Sequence, residues 1–201
     1  MRECRRIAHR GLGKENTMGA FANGVRRYGA FECDVRWSSD AVPVVIHDAS
    51  LARTHGVPRR VGACTVAELD ELGVPRLADV LDAFERDATV VLDLKEDPRA
   101  VVRWLDRRRR VANRVVLLLW EDGVRVPPRW SAWRVRYNRF PATADGHSGV
   151  ACRFSGSAVN RACIERALNA GLHVNMYALR TAQSKKMQRL YADVPQCSFT
   201  V

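Results

Sequence analysis

The chain has 201 residues, 47% of them hydrophobic and 27% charged, with 33 Lys and Arg against 22 Asp and Glu for a net charge of +11. That composition excludes a disordered chain and gives room for one medium domain, residues 1–201, with a proper core. The positive excess favours anionic ligands, whether phosphates, lipid head groups or nucleic acid, without choosing among them.

Met1 to Arg6 is polar, and the apolar stretch between it and His9 is too short for a signal peptide or a membrane span, so a cytoplasmic protein is expected. Arg6 to Ala8 reads as a short buried strand. Asn16 to Tyr28 has helical spacing, with Met18, Phe21, Ala22 and Val25 on one side, Asn16 or Thr17 able to cap it and Gly29 to break it. Ala30 to Val35 then alternates like a strand, and Val42 to Ile46 is a second apolar run, so a β-α-β rhythm begins here. From Asp48 to Arg76 the chain is a polar loop region punctuated by glycines and prolines, with one capped helical turn at Thr65 to Leu69.

Leu77 to Arg86 returns to helical spacing, Thr89 to Leu94 is a β-branched run, Pro98 to Arg110 reads as a helix reaching to Val111, and Arg114 to Trp120 as a buried strand. Between Glu121 and Gly149 the period is broken by Pro127-Pro128 and Gly146, and only Trp133 to Tyr137 reads as a strand. Ser157 to Ala170 is a predicted helix ended by Gly171, His173 to Ala178 a strand, Thr181 to Tyr191 a helix and Cys197 to Val201 a last strand. About seven or eight strands alternating with helices argue for a parallel sheet.

Several features are read as carrying no function. The run Arg107 to Arg110 falls late in the helix predicted over Pro98 to Val111, where cations suit the negative end of the dipole and form a solvated face. The six cysteines, Cys4, Cys33, Cys64, Cys152, Cys163 and Cys197, have no Cys-x-x-Cys pair and no zinc spacing, so reduced thiols are expected. His55, His147 and His173 read as structural or exposed, and Trp120 and the Trp130 to Trp133 stretch, which could line a pocket, read as core or loop packing. No nucleotide-binding glycine loop is present.

The chemistry gathers at strand ends. Side chains two apart on a strand share a face, so Glu32 and Asp34 project together with Cys33 turned away, and Asp93 and Lys95 repeat the geometry. Three carboxylates repel one another, and a divalent cation relieves that repulsion; oxygen ligands favour Mg²⁺ or Ca²⁺ over zinc. His9 and His47 each follow an apolar run, where a barrel strand delivers catalytic side chains, and imidazoles can serve as an acid and base pair near neutral pH. Arg10 adds a planar fork for phosphate oxygens and Lys95 a point charge.

At these residues the sequence resembles the glycerophosphodiester phosphodiesterase family. The matching pieces are Ile7-Ala8-His9-Arg10-Gly11, Glu15-Asn16-Thr17 with Ala20-Phe21, Gly29-Ala30 leading to Glu32-x-Asp34-Val35, Val44 to Asp48, and Leu51-x-Arg53-Thr54-x-Gly56. A looser match continues through Pro75-Arg76-Leu77, Leu92 to Lys95, and Ala167 to Tyr177. The resemblance implies an α/β fold, a small TIM-type (β/α)8 barrel, holding one divalent metal and cleaving a small-molecule glycerophosphodiester to glycerol 3-phosphate and an alcohol, with a cyclic phosphate as a possible intermediate. It implies His9 and His47 as general base and acid, Glu32, Asp34 and Asp93 as metal ligands, Arg10 and Lys95 on the phosphate, and Glu15 in support. The pattern departs from the family where Asp93 replaces a Glu, where Tyr177 replaces a Trp, in a short segment after His47, and in lacking a Thr-Asp-x-Pro motif after the last strand. A barrel incomplete at its C-terminal end is therefore expected.

Two alternatives stay open at this level. One is a phospholipase D-like or phosphatidylinositol phospholipase-like barrel acting on lipid, which the absence of an apolar anchoring loop disfavours. The other is a catalytically weakened barrel that binds a phosphodiester or protein partner without turnover, motivated by Asp93 and the C-terminal departure. Nucleic acid is not favoured as a partner, and no transmembrane segment is predicted.

Overall fold

The computed structural model describes residues 6–84, 88–136, 146–153, 158–177, 189–191, 194 and 196–201. In chain order the elements are β1 (Arg6–Ile7), α1 (Met18–Tyr28), β2 (Ala30–Trp37), β3 (Pro43–Val45), α2 (Ala52–His55), α3 (Val66–Glu71), α4 (Leu77–Ala83), β4 (Thr89–Leu94), α5 (Pro98–Leu105), β5 (Val115–Leu119), β6 (Ser131–Arg136), β7 (Gly149–Arg153), α6 (Ala158–Asn169), β8 (His173–Tyr177) and β9 (Cys197–Thr200). The strands form one sheet in the order β1-β9-β8-β7-β6-β5-β4-β2-β3.

All neighbours in that order pair in parallel except β2 and β3. β1 pairs with β9 on one side, and Ala8 just beyond it bridges Phe31 of β2 on the other. Ala8 accepts from the Glu32 amide at 2.9 Å and donates to the Ala30 carbonyl at 3.2 Å, so the parallel strands come round to meet as a small TIM-type barrel. The helical layer is thin: residues 120–130, between β5 and β6, hold no helix.

Parallel strands need long crossovers, and here these bury apolar surface on the outside of the sheet. Phe21 of α1 stacks on Phe31 of β2 with ring centroids 4.4 Å apart, both fully buried, which contributes on the order of 2–3 kcal/mol per ring. α1 begins at Met18 because the Thr17 side chain accepts from the Ala20 amide, which decides the cap between the two candidates. A second set, including Ile7, Ala30, Val91, Val116, Leu118, Trp133, Val135 and Ala151, fills the barrel. At the lower end of the barrel Trp133 and His173 lie flat on one another, centroids 4.5 Å apart and 6° from parallel, and Gly149 sits against both. A Cβ on Gly149 would lie 2.5 Å from the His173 carbonyl and 2.7 Å from Trp133 Cδ1, so the strand must start with glycine.

Three expectations are corrected. β3 does not continue the β-α-β rhythm, because the link over residues 38–42 is far too short for a crossover and folds the chain back as a hairpin, antiparallel to β2. The helix predicted to run to Val111 stops at Leu105, and Arg107 to Arg110 lie in a turn and a 3₁₀ segment beyond it. Asp106 is drawn onto the β5–β6 connection by Arg129 Nε at 3.1 Å and Trp130 Nε1 at 2.8 Å, while Arg108 stacks over Trp104. β7 lies in a stretch with no predicted strand, since Gly149-Val150-Ala151-Cys152 lacks a β-branched run. Cys4, Arg86, Tyr137, Ser157, Ala178 and residues 181–188 of a predicted helix lie outside the described residues; Cys33, Cys64, Cys152, Cys163 and Cys197 are free.

Candidate active site

Glu32 and Asp34 stand on one face of β2, and Asp93 is the register partner of Asp34 on β4. All three are buried, and each offers an oxygen within 4.8 Å of the others. Burial first, then repulsion from Asp34 and Asp93, pushes the Glu32 carboxyl well above its usual value. Asp34 goes the other way: burial would raise it, but Lys95, Asn16 and Arg10 outweigh burial and hold it below the usual range. Lys95 Nζ lies 2.9 Å from Asp34 Oδ1 and 2.6 Å from Asp93 Oδ2, and despite the cost of burial the two carboxylates raise its own value.

The loop after β1 supplies the cations. His9 donates its backbone N–H to the Val201 carbonyl at 2.8 Å and sets Nε2 3.9 Å from Glu32 Oε2. Arg10 adopts φ 54°, a strained conformation for a residue with a side chain, and in doing so aims its N–H at Glu32 Oε2, 3.0 Å away. Gly11 follows at φ 81°, packed so tightly on Ala20 that a Cβ would lie 2.6 Å from its backbone, which fixes the third residue of the His-Arg-Gly motif. The Arg10 side chain sets Nε 3.2 Å from Asp34 Oδ2 and donates from Nη1 to Glu15 Oε2 at 3.3 Å.

His47 arrives on the returning arm of the hairpin, with the Ile46 amide donating to the Asp34 carbonyl and Arg36 Nε donating to the His47 carbonyl at 2.8 Å. Its Nδ1 lies 2.6 Å from Asp48 Oδ1. Asp48 Oδ2 accepts from Arg53 Nε at 2.5 Å, and Arg53 forks onto Glu15 at 2.5 and 3.2 Å. Arg53, then His47, holds the Asp48 carboxyl well below the usual range. A cleft of about 250 Å³ opens beside Lys95, bounded by Pro98, Leu118, Trp120 and Glu121.

The donor set fits a hard divalent cation: it is all oxygen, and three buried carboxylates converge within 4.8 Å of one another. With a guanidinium, an ammonium, two imidazoles and an acidic trio gathered about β2 and β4, the arrangement suits proton transfer at a phosphoric diester.

Residues 9–138 match the model of the glycerophosphoryl diester phosphodiesterase family. The chain belongs to this family. Its fold is that of solved glycerophosphodiester phosphodiesterases: one from Agrobacterium tumefaciens is 23% identical with a TM-score of 0.79, covering 98% of this chain and 95% of the other. One from Thermotoga maritima is 17% identical, also at 0.79, covering 98% and 92%. A phosphodiesterase from Oleispira antarctica, solved with the product sn-glycerol-3-phosphate, is 18% identical at 0.73 over 98% and 92%. No curated protein matches the chain by sequence.

For a member of the phosphodiesterase family, the grouping of His9, Arg10, Glu15, Glu32, Asp34, Asp93 and Lys95 is directly visible, with His47 brought beside β2. The sequence gives no site role to Asp48 or Arg53, and it reads Asn16 as a candidate helix cap and Trp120 as packing. Asn16 bonds Asp34 from both ends of its amide, Nδ2 donating to Oδ2 at 2.8 Å and Oδ1 accepting from the Asp34 amide at 3.3 Å. Trp120 donates its indole N–H to Asp93 Oδ1 at 2.6 Å. Asn16 carried one signal, an Asn directly after Glu15, since Asn tolerates the φ of 55° found there.

Proposed function

We propose that the chain is a metal-dependent glycerophosphodiester phosphodiesterase that releases glycerol 3-phosphate and an alcohol. The carrying observation is the buried acidic trio within 4.8 Å, with His9 3.9 Å from Glu32 at its edge. Family membership and the glycerol 3-phosphate held by the Oleispira antarctica protein support the substrate class. Glu32, Asp34 and Asp93 would hold the cation, Mg²⁺ or Ca²⁺, which when bound supplies charge neutralisation at the phosphate.

Arg10 and Lys95 hold phosphate oxygens in this reading, and Glu15 keeps the Arg10 guanidinium in place. His9 takes the proton from the attacking hydroxyl, either water or the neighbouring glycerol hydroxyl, as its oxygen bonds to phosphorus. His47 gives a proton to the departing alcohol oxygen as the old P–O bond breaks. Asp48 keeps the hydrogen on Nδ1 of His47, so that Nε2 faces the reaction. Where the glycerol hydroxyl attacks, the same pair in reversed roles opens the cyclic phosphate with water.

We also place the protein in the cytoplasm by proposal, supported by its free cysteines. No helix among the described residues is long and apolar enough to cross a membrane. Nucleic acid plays no part in this reading.

Release of glycerol 3-phosphate from glycerophosphocholine, measured with Mg²⁺, with Ca²⁺ and with chelator, tests it. Turnover is expected to need the metal and to fall about 10²- to 10⁴-fold in His9→Ala and in His47→Ala. Tight binding of the diester without turnover would instead favour the weakened barrel.

A further inference from the structure

We propose that Trp120 is a positioning residue for Asp93, holding this short carboxylate where its oxygens can complete the cation site formed with Glu32 and Asp34. The inference rests on the metal-dependent reading above and goes beyond it, because Trp120 matches none of the motifs through which the family resemblance was drawn.

Asp93 lies near the end of β4, with a side chain one methylene shorter than the Glu of the family pattern. A shorter side chain reaches less far into the barrel, and its carboxylate must be held at one angle if it is to meet Glu32 and Asp34. Both of its oxygens are held. Lys95 Nζ lies 2.6 Å from Oδ2, and the Trp120 indole N–H donates to Oδ1 at 2.6 Å. An indole N–H is a donor only, and each carboxylate oxygen has two lone pairs, so Trp120 can orient Oδ1 and still leave it a lone pair for a cation.

The indole is itself braced. Trp120 directly follows β5, whose Leu118 is the register partner of Asp93, and its ring packs edge-on against Tyr177 at the end of β8, centroids 6.4 Å apart. The aromatic pair therefore spans the mouth of the barrel and fixes the direction in which the N–H points. Outer partners of this kind change metal affinity by about 10- to 100-fold when removed. Satisfying a half-buried indole would by itself require nothing of the metal.

Titration calorimetry of Mg²⁺ and Ca²⁺ into the full chain separates the two, with metal-free melting curves to verify folding. Glu32→Gln, which removes a trio member, is expected to abolish binding. Trp120→Phe keeps an aromatic ring against Tyr177 and loses the donor; its affinity is expected to fall about 10- to 100-fold. Adding Asp93→Glu to Trp120→Phe is expected to recover affinity, since the longer side chain reaches the site without help. If Trp120→Phe binds as tightly as the natural chain while Glu32→Gln does not bind, the metal reading stands and the role given to Trp120 is wrong. If the natural chain binds neither ion, both fall. Should Trp120→Phe fail to fold, Trp120→His decides, because its ring keeps an N–H: retained affinity supports the proposal and lost affinity overturns it.

Discussion

His47 is the residue whose surroundings most constrain what it can do. Its Nδ1 faces Asp48, Asp48 is clamped by Arg53, and Arg53 forks onto Glu15, which in turn accepts from Arg10. One unbroken chain of charge-assisted bonds thus runs from the imidazole to the guanidinium that approaches Asp34. Asp48→Asn keeps the shape and loses the charge that fixes the ring. Its kcat for diester hydrolysis is expected to fall at least about tenfold with KM nearly unchanged, because the orientation of a proton donor matters to the transition state more than to binding. Steady-state kinetics on glycerophosphocholine checks this. The residues proposed to meet substrate or cation were legible in the sequence, since strand alternation puts Glu32 with Asp34 and Asp93 with Lys95 on shared faces. Of their supports only Glu15 was, and Asn16, Asp48, Arg53 and Trp120 were not. Arg53 and Glu15 are 38 positions apart, and only the hairpin with its short α2 brings them together.

Elements set where these residues can stand. Local signals found β2, β4 and β8 nearly to the residue, because each either alternates apolar with polar positions or runs through β-branched ones between clear breaks. The direction of β3 was not in its own residues; it was in the shortness of the link before it, which allows a hairpin and forbids a crossover. β7 was hidden because its sequence is selected for fit rather than propensity, and Gly149 shows why. Gly149→Ala drives a methyl into the His173 carbonyl and Trp133, and is expected to destabilise the fold by about 1–3 kcal/mol in urea unfolding, as overpacking does.

At the scale of the molecule, burial of charge couples stability to solution conditions. Burial pushes His173 down to about 4, while the unfolded chain binds that proton near 6.5. Between those values the unfolded state holds more protons, so stability falls as pH drops from about 6.5 to about 4, by at most about 3 kcal/mol from this residue. His55 and His147, also lowered by burial, add to the same slope. His173→Phe, which retains an aromatic ring on Trp133, is expected to shrink the slope of unfolding free energy against pH across that interval. The acidic trio responds to metal instead. Mg²⁺ or Ca²⁺ at about 100 times its dissociation constant is expected to add about 2.7 kcal/mol, a rise of about 5–10 °C in melting temperature that chelator reverses and Glu32→Gln removes.

The bond from the His9 amide to the Val201 carbonyl, with its companion from the Val201 amide to Ile7, ties the segment after β1 to the segment after β9. The His9 imidazole therefore has no fixed seat until β9 docks beside β1. A fold in which residues 197–201 have come away keeps Glu32, Asp34 and Asp93 on β2 and β4 and leaves the imidazole unanchored.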